Sequence, residues 1–234
     1  IFGQHVHPPL QVGKVGFRPG MYMASADELY LTVKGKGGHG ALPHECRDPI
    51  LIASHLIISL QQLVSRLTNP TLPAVVTFGK INSTGGATNI IPNEVKIEGT
   101  FRTMDEAWRK EAHARMKEMA EGIAKSMGGS CEFNIVKGYP FLKNDPPLTL
   151  RSKAFAEEYL GKENVIDLPI RMTSEDFSYY SQVTSACFYR LGTGNPEKGI
   201  TSPVHTDTFN VDENCLKTGM GLMAWLAVKE LEEV

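Results

Sequence analysis

Residues 27–40 read DELYLTVKGKGGHG. Leu29, Leu31 and Val33 alternate with polar residues, the period-two mark of a strand with one buried face. The glycine-rich run Gly35 to Gly40 ends that strand. Just beyond it, Asp48-Pro49 makes a helix start: a capping carboxylate, then a proline whose missing N–H costs nothing at the first helical position. Ile52, Leu56, Leu60, Leu63 and Leu67 fall on one side, and the spacing predicts one helix running to Asn69-Pro70. Strands are predicted over 74–81 and 94–103. In the second, Val95, Ile97 and Phe101 form the apolar face, and Lys96, Glu98, Thr100 and Arg102 the polar one. Asp105 opens a second helix carrying Trp108, Met116, Met119, Ile123 and Met127, and Gly128-Gly129 closes it. Residues 131–137 make a fourth strand. The order β-α-β-β-α-β is the split-βαβ or ferredoxin-like plan, with two helices on one face of the sheet and the other face open.

The flanks are less complete. Residues 1–24 hold a short strand and a Pro/Gly-rich turn. Residues 139–234 hold a helix from Thr149 to Leu160, an acidic turn, a strand over 187–191 and a final helix over 212–233. That is half of an α/β layer structure, with too few strands to enclose a core. The compact unit at 25–138 is therefore expected to be inserted into a larger α/β domain made of 1–24 and 139–234. The chain opens on Ile1-Phe2-Gly3 without an initiator Met, so a preceding stretch is expected to lie outside it.

Composition narrows the partners. Of 234 residues, 41% are hydrophobic and 21% charged, and the formal net charge of -2 provides no basic face for nucleic acid. No stretch reads as apolar and long enough to span a bilayer, so no membrane partner is expected. Cys46, Cys131, Cys187 and Cys215 stand far apart with no CxxC pair, which points to reduced thiols and a cytoplasmic location.

Several residues could carry chemistry. His5 follows the first apolar segment and precedes a proline turn, while His205 lies in a loop before the last helix. Neutral imidazole at such positions ligates zinc and related metals, or is a hydrogen-bonded loop histidine. His39 sits among four glycines, where the backbone turns tightly and approaches something closely. A phosphate-cradling loop fails there, because no Gly-Lys-Ser/Thr opens the helix. Asn89 lies in a Gly-rich loop, and Arg102 ends a strand on its polar face. Arg102 is either solvated or a bidentate grip for a carboxylate, with the Asn89 amide assisting. Glu175 and Asp176 either serve acid/base chemistry or cap a short helix.

The runs GQHV (3–6), GKGGHGALPH (35–44), TNIIPNEVKIEGTFRT (88–103), SEDFSYY (174–180) and PVHTDTF (203–209) together resemble the metal-dependent aminoacylase, hippurate hydrolase and auxin-conjugate (IAA-amino acid) hydrolase family. The resemblance implies a zinc-peptidase-like α/β catalytic domain with an inserted ferredoxin-like lid that dimerises. It implies His5 and His205 as metal ligands, and His39 as a lid histidine acting in the partner's active site. It further implies Asn89 and Arg102 as binders of the substrate carboxylate or transition-state oxygen, and Glu175 as a supporting catalytic residue. The expected cofactors are two divalent ions, zinc or else manganese, cobalt or nickel. The expected reaction is hydrolysis of the amide of an N-acyl amino acid or short peptide. Relatives carry further ligands and a general-base Glu before the point where this chain starts. The alternative is thus a catalytically inactive fragment serving as a dimerisation or ligand-binding module.

Overall fold

The computed structural model describes residues 1–232, so the predicted end of the last helix at Glu233 lies outside the described residues. The chain forms two compact units. One comprises residues 1–23, 142–171 and 176–232, and the other residues 24–141 and 172–175.

The first unit begins with β1 (Phe2–Gln11), β2 (Val15–Phe17) and β3 (Gly20–Met23). The second follows with β4 (Asp27–Lys34), β5 (Gly38–His39), α1 (Pro49–Leu60), β6 (Ala74–Ser83), β7 (Ile90–Ile91), β8 (Glu94–Thr103), α2 (Glu106–Ser126) and β9 (Ser130–Lys137). The chain then returns to the first unit with β10 (Leu142–Asn144), α3 (Pro146–Leu160), β11 (Val165–Asp167), α4 (Ser178–Ser181), β12 (Cys187–Gly194) and α5 (Asn214–Glu232).

The second unit has the predicted order. Its sheet runs β6-β8-β4-β9, with every pair antiparallel. Leu31 stands opposite both Ile97 and Phe133, and Leu29, Leu31, Val33, Val95, Ile97 and Phe101 are buried under the two helices. Asp48 caps α1 by accepting from the Ile50 and Leu51 amides at 2.8 and 3.3 Å. The predicted helix forms over Pro49–Leu67, but its last turn is not α-helical. α1 ends at Leu60 and a π-helical turn follows at Leu63–Leu67. Thr68 explains the turn, because its amide and hydroxyl both bond the Leu63 carbonyl at 2.8 Å, which closes a wider loop than an α-turn.

The span Pro49–Leu67 is also, by length and composition, apolar enough to cross a membrane, which corrects the sequence reading. Its inner face, with Ile52, Leu56, Leu60 and Leu63, is spent on the core of the unit. Its outer face exposes Ile50, Leu51 and Ile58.

The first unit holds more sheet than expected: four strands in the order β1-β12-β2-β11. β12 is buried at every residue. Its alternate residues Cys187, Tyr189 and Leu191 join one core with Leu222 and Leu226 of α5, while Phe188 joins another with Tyr22, Met23 and Phe177. A strand buried on both faces reads as a continuous apolar run, which is why CFYRLGTG shows no alternation. α3 begins three residues earlier than Thr149, at Pro146, because Asp145 accepts from the Leu148 amide at 2.9 Å and proline suits the first helical position.

Candidate functional site

His5 lies inside β1 rather than after it. β1 pairs in parallel with β12, placing His5 opposite Arg190 and His7 opposite Gly192. Residues two apart share a strand face, so both half-buried imidazoles lie on one side. His5 Nδ1 is 2.7 Å from the Val6 carbonyl, which can only accept. Nδ1 therefore carries a proton and donates to that carbonyl. Burial lowers the His5 pKa against the pull of the Val6 bond, and the charges of Arg190, Arg171 and His205 lower it further. His7 is pushed down to about 4 by burial, then by Arg171 and Arg190. Its Nδ1 accepts from Arg171 Nη1 at 3.1 Å.

His205 is exposed in a turn at φ +65°, the one non-glycine residue with positive φ among the described residues. Such strain costs on the order of 1–3 kcal/mol and persists only where the surroundings impose it. Here the Thr206 hydroxyl bonds the Pro203 carbonyl at 2.8 Å, and Ser202 bonds Thr208 at 2.9 Å. The loop does not run straight into a helix, since α5 begins only at Asn214.

These two histidines alone do not complete a metal site. No group of three or more His, Cys, Asp or Glu placed to hold a metal exists among the described residues. Their surroundings are also cationic. Arg190 is 5% exposed, with Nε on the Tyr22 hydroxyl at 3.1 Å and its guanidinium 5.1 Å from the Phe188 ring centre. Further acidic ligands are what a divalent ion would require here.

In the second unit, β5 and β7 form a two-stranded ribbon that brings His39 and Asn89 together: His39 pairs with Ile90, and the Gly40 amide donates to the Asn89 carbonyl at 2.8 Å. The glycines are explained by crowding, since a Cβ on Gly40 would lie 2.9 Å from that carbonyl and one on Gly38 2.7 Å from Cys46 Sγ. His39 Nδ1 accepts the Ala41 amide at 3.1 Å, so its neutral ring presents Nε2–H outward as a donor.

Arg102 is not part of this ribbon. It sits at the far end of β8, ten residues long, or roughly 30 Å at 3.3 Å per residue. Arg102 thus stands at the end of β8 away from Asn89. Its Nη1 donates to the Met172 carbonyl and to Ser174 Oγ, each at 3.3 Å. Glu175 belongs to the same short segment, which groups with the second unit, and it is half-buried. The helix-capping alternative for the acidic pair fails, because the N-cap of α4 is Phe177, with no side-chain cap.

Sequence reading missed His7, Arg171 and Arg190. His7 was legible as the second histidine of a strand face, and Arg190 as a lone charge inside an apolar run. The approach of Arg171 to His7 joins residues far apart in the chain and had no local signal.

Residues 25–127 match the family model described as the peptidase dimerisation domain of the M20 type. The N-acetyldiaminopimelate deacetylase of Enterococcus faecalis is 35% identical over 226 residues, 94% of this chain and 57% of the relative. The IAA-amino acid hydrolase ILR1-like 4 of Arabidopsis thaliana is 36% identical over 242 aligned residues, 100% of this chain and 54% of the relative. A crystal structure from Bacillus subtilis, described as a dinuclear metal binding peptidase from the M20 family, superposes with a TM-score of 0.80 at 30% identity, over 100% of this chain and 58% of its own. The chain thus spans little more than half the length of the relatives it matches. On these likenesses it is a partial M20-like chain, with a peptidase dimerisation domain at residues 25–127.

Proposed function

We propose that this chain is the larger part of a metal-dependent amidohydrolase that cleaves the amide of N-acyl amino acids or short peptides. The observation that carries the reading is similarity along nearly the whole chain to relatives named as a deacetylase and an amino-acid-conjugate hydrolase. His5 and His205 would contribute ligands to a two-metal centre of zinc, or of manganese, cobalt or nickel. When bound, such a centre supplies an activated water and polarises the scissile carbonyl. His39 Nε2–H donates to the developing oxyanion, Asn89 assists beside it, and Arg102 grips the substrate carboxylate. Glu175 supports the site from the Met172–Glu175 segment.

The separation of His39 and Asn89 from Arg102 along β8 suits a homodimer in which each site takes the ribbon of one copy and the arginine of the other. Exposed Ile50, Leu51 and Ile58 on α1 suit the same assembly. The four cysteines are free and buried, which suits a reducing, cytoplasmic setting. The rival reading, a non-catalytic dimerisation or ligand-binding module, is favoured by the absence of a three-ligand cluster among the described residues.

The test takes protein from its native source and measures release of free amino acid from N-acetyl amino acids and dipeptides. Release that stops with chelator and returns with a divalent ion supports the hydrolase. No release with any of the four metals leaves the module reading standing.

A further inference from the structure

The open face of the second unit's sheet holds a cavity of about 580 Å³ bounded by Glu28, Tyr30, Thr100, Arg102, Val136 and Tyr139. Its charges are unsatisfied in a specific way. The Glu28 carboxylate accepts the Tyr30 hydroxyl at 2.7 Å, and no cation among the described residues pairs with it. The bonds of Arg102 go to neutral oxygens, and no described carboxylate pairs with it. The neighbouring Glu98 differs, being already matched by Lys80 at 2.7 Å. Glu28 stands opposite Thr100 in the β4–β8 register, and Arg102 lies two residues further on the same face. The two charges are therefore diagonal neighbours, with Cα atoms about 7–8 Å apart. They share one cavity without pairing to each other. Val136 and Tyr139 add partly exposed apolar surface beside them.

We propose that this cavity binds a free α-amino acid with an apolar side chain, its ammonium on Glu28, its carboxylate on Arg102 and its side chain against Val136 and Tyr139. Two opposite charges at this spacing complement a zwitterion, and a molecule with only one of the charges leaves a partner unmatched. The inference rests on the hydrolase reading for Arg102 as a carboxylate grip, and the cavity adds Glu28 as the ammonium partner. In that reading a free amino acid is a product, whereas the N-acyl substrate lacks the ammonium that Glu28 selects. The site then favours product over substrate.

The experiment titrates the purified chain with L-leucine, N-acetyl-L-leucine and L-leucinamide, following backbone amides by NMR. L-Leucine should shift Gly99, Thr100 and Gly138 saturably, and each single-charge analogue should bind at least about ten-fold more weakly. Glu28→Gln should reduce L-leucine to the level of N-acetyl-L-leucine, and Arg102→Met to that of L-leucinamide. Binding of N-acetyl-L-leucine as tight as that of L-leucine overturns the proposal, as do shifts elsewhere on the chain or no saturable shift. Because no turnover is read, failure here is separable from failure of the hydrolase reading.

Discussion

Arg109 grips both oxygens of the Asp27 carboxylate, through Nε at 2.9 Å and through Nη2, and neither side chain is more than 1% exposed. The same Nη2 reaches the carbonyls of Ala26 and Gly138, each at 3.1 Å, and Nη1 reaches Glu106 at 3.0 Å. One α2 side chain thus ties together the start of β4 and the exit from β9, where Gly138 and Ala26 also bond directly at 3.0 Å.

Removing one partner of a buried pair strands the other charge. Arg109→Ala should therefore lower stability by about 3–5 kcal/mol, while the double replacement Asp27→Leu with Arg109→Met should recover much of that loss. Urea unfolding at neutral pH reads both. A loss below about 1 kcal/mol for the single variant would show that water reaches the pair.

The pair also sets an acid dependence. Burial works to raise the Asp27 pKa, but hydrogen bonds from His113, at 2.6 Å, and from Arg109 prevail and lower it. A carboxyl depressed on folding adds stability that is fully present above its unfolded value of about 3.9 and is lost as pH falls through the folded one. The stability gap between wild type and Asp27→Asn should be constant above about pH 5 and should shrink below about pH 4. A gap unchanged down to acid unfolding would sink this account.

The cores are built from apolar side chains and no three-ligand group lies among the described residues, so chelator should leave the melting temperature of this chain unchanged. Zinc should bind it far more weakly than the ~10–16 kcal/mol of a complete structural site, and His5→Ala or His205→Ala should abolish what binding there is. Calorimetry with and without EDTA decides. A fall of several degrees on chelation would mean that a ligand set has escaped notice.

His39 is exposed and supports no core, so His39→Ala should change stability by less than about 0.5 kcal/mol while lowering kcat by about 10²–10³ in the complete protein. Arg102→Met should lower activity as well. If each site draws on two copies, mixing the two inactive variants restores part of the activity through dimers holding one intact site. Ile58→Glu, at a position 72% exposed on α1, should halve the particle mass by light scattering. No recovery on mixing would favour sites built from one copy.

Much of the second unit was legible along the chain because its signals are local. The alternation of Leu29, Leu31 and Val33, the Asp48 and Asp105 caps and the Gly128 stop (φ +80°) each act within a few residues. The change to a π turn at Leu63–Leu67 escaped because it depends on Thr68 satisfying the Leu63 carbonyl, a bond that no periodicity registers.

The candidate site divides the same way. Sequence alone determined which side chains are chemically able: His5, His39, Asn89, Arg102, Glu175 and His205, each in a run that a family resemblance could join. Only the tertiary structure decided what each can do. Strand pairing set His5 opposite Arg190, a backbone carbonyl engaged its Nδ1, and the length of β8 parted Asn89 from Arg102. Those outcomes rest on hydrogen bonds and charges between residues remote in sequence, and proximity of that kind exists only once the sheets have closed.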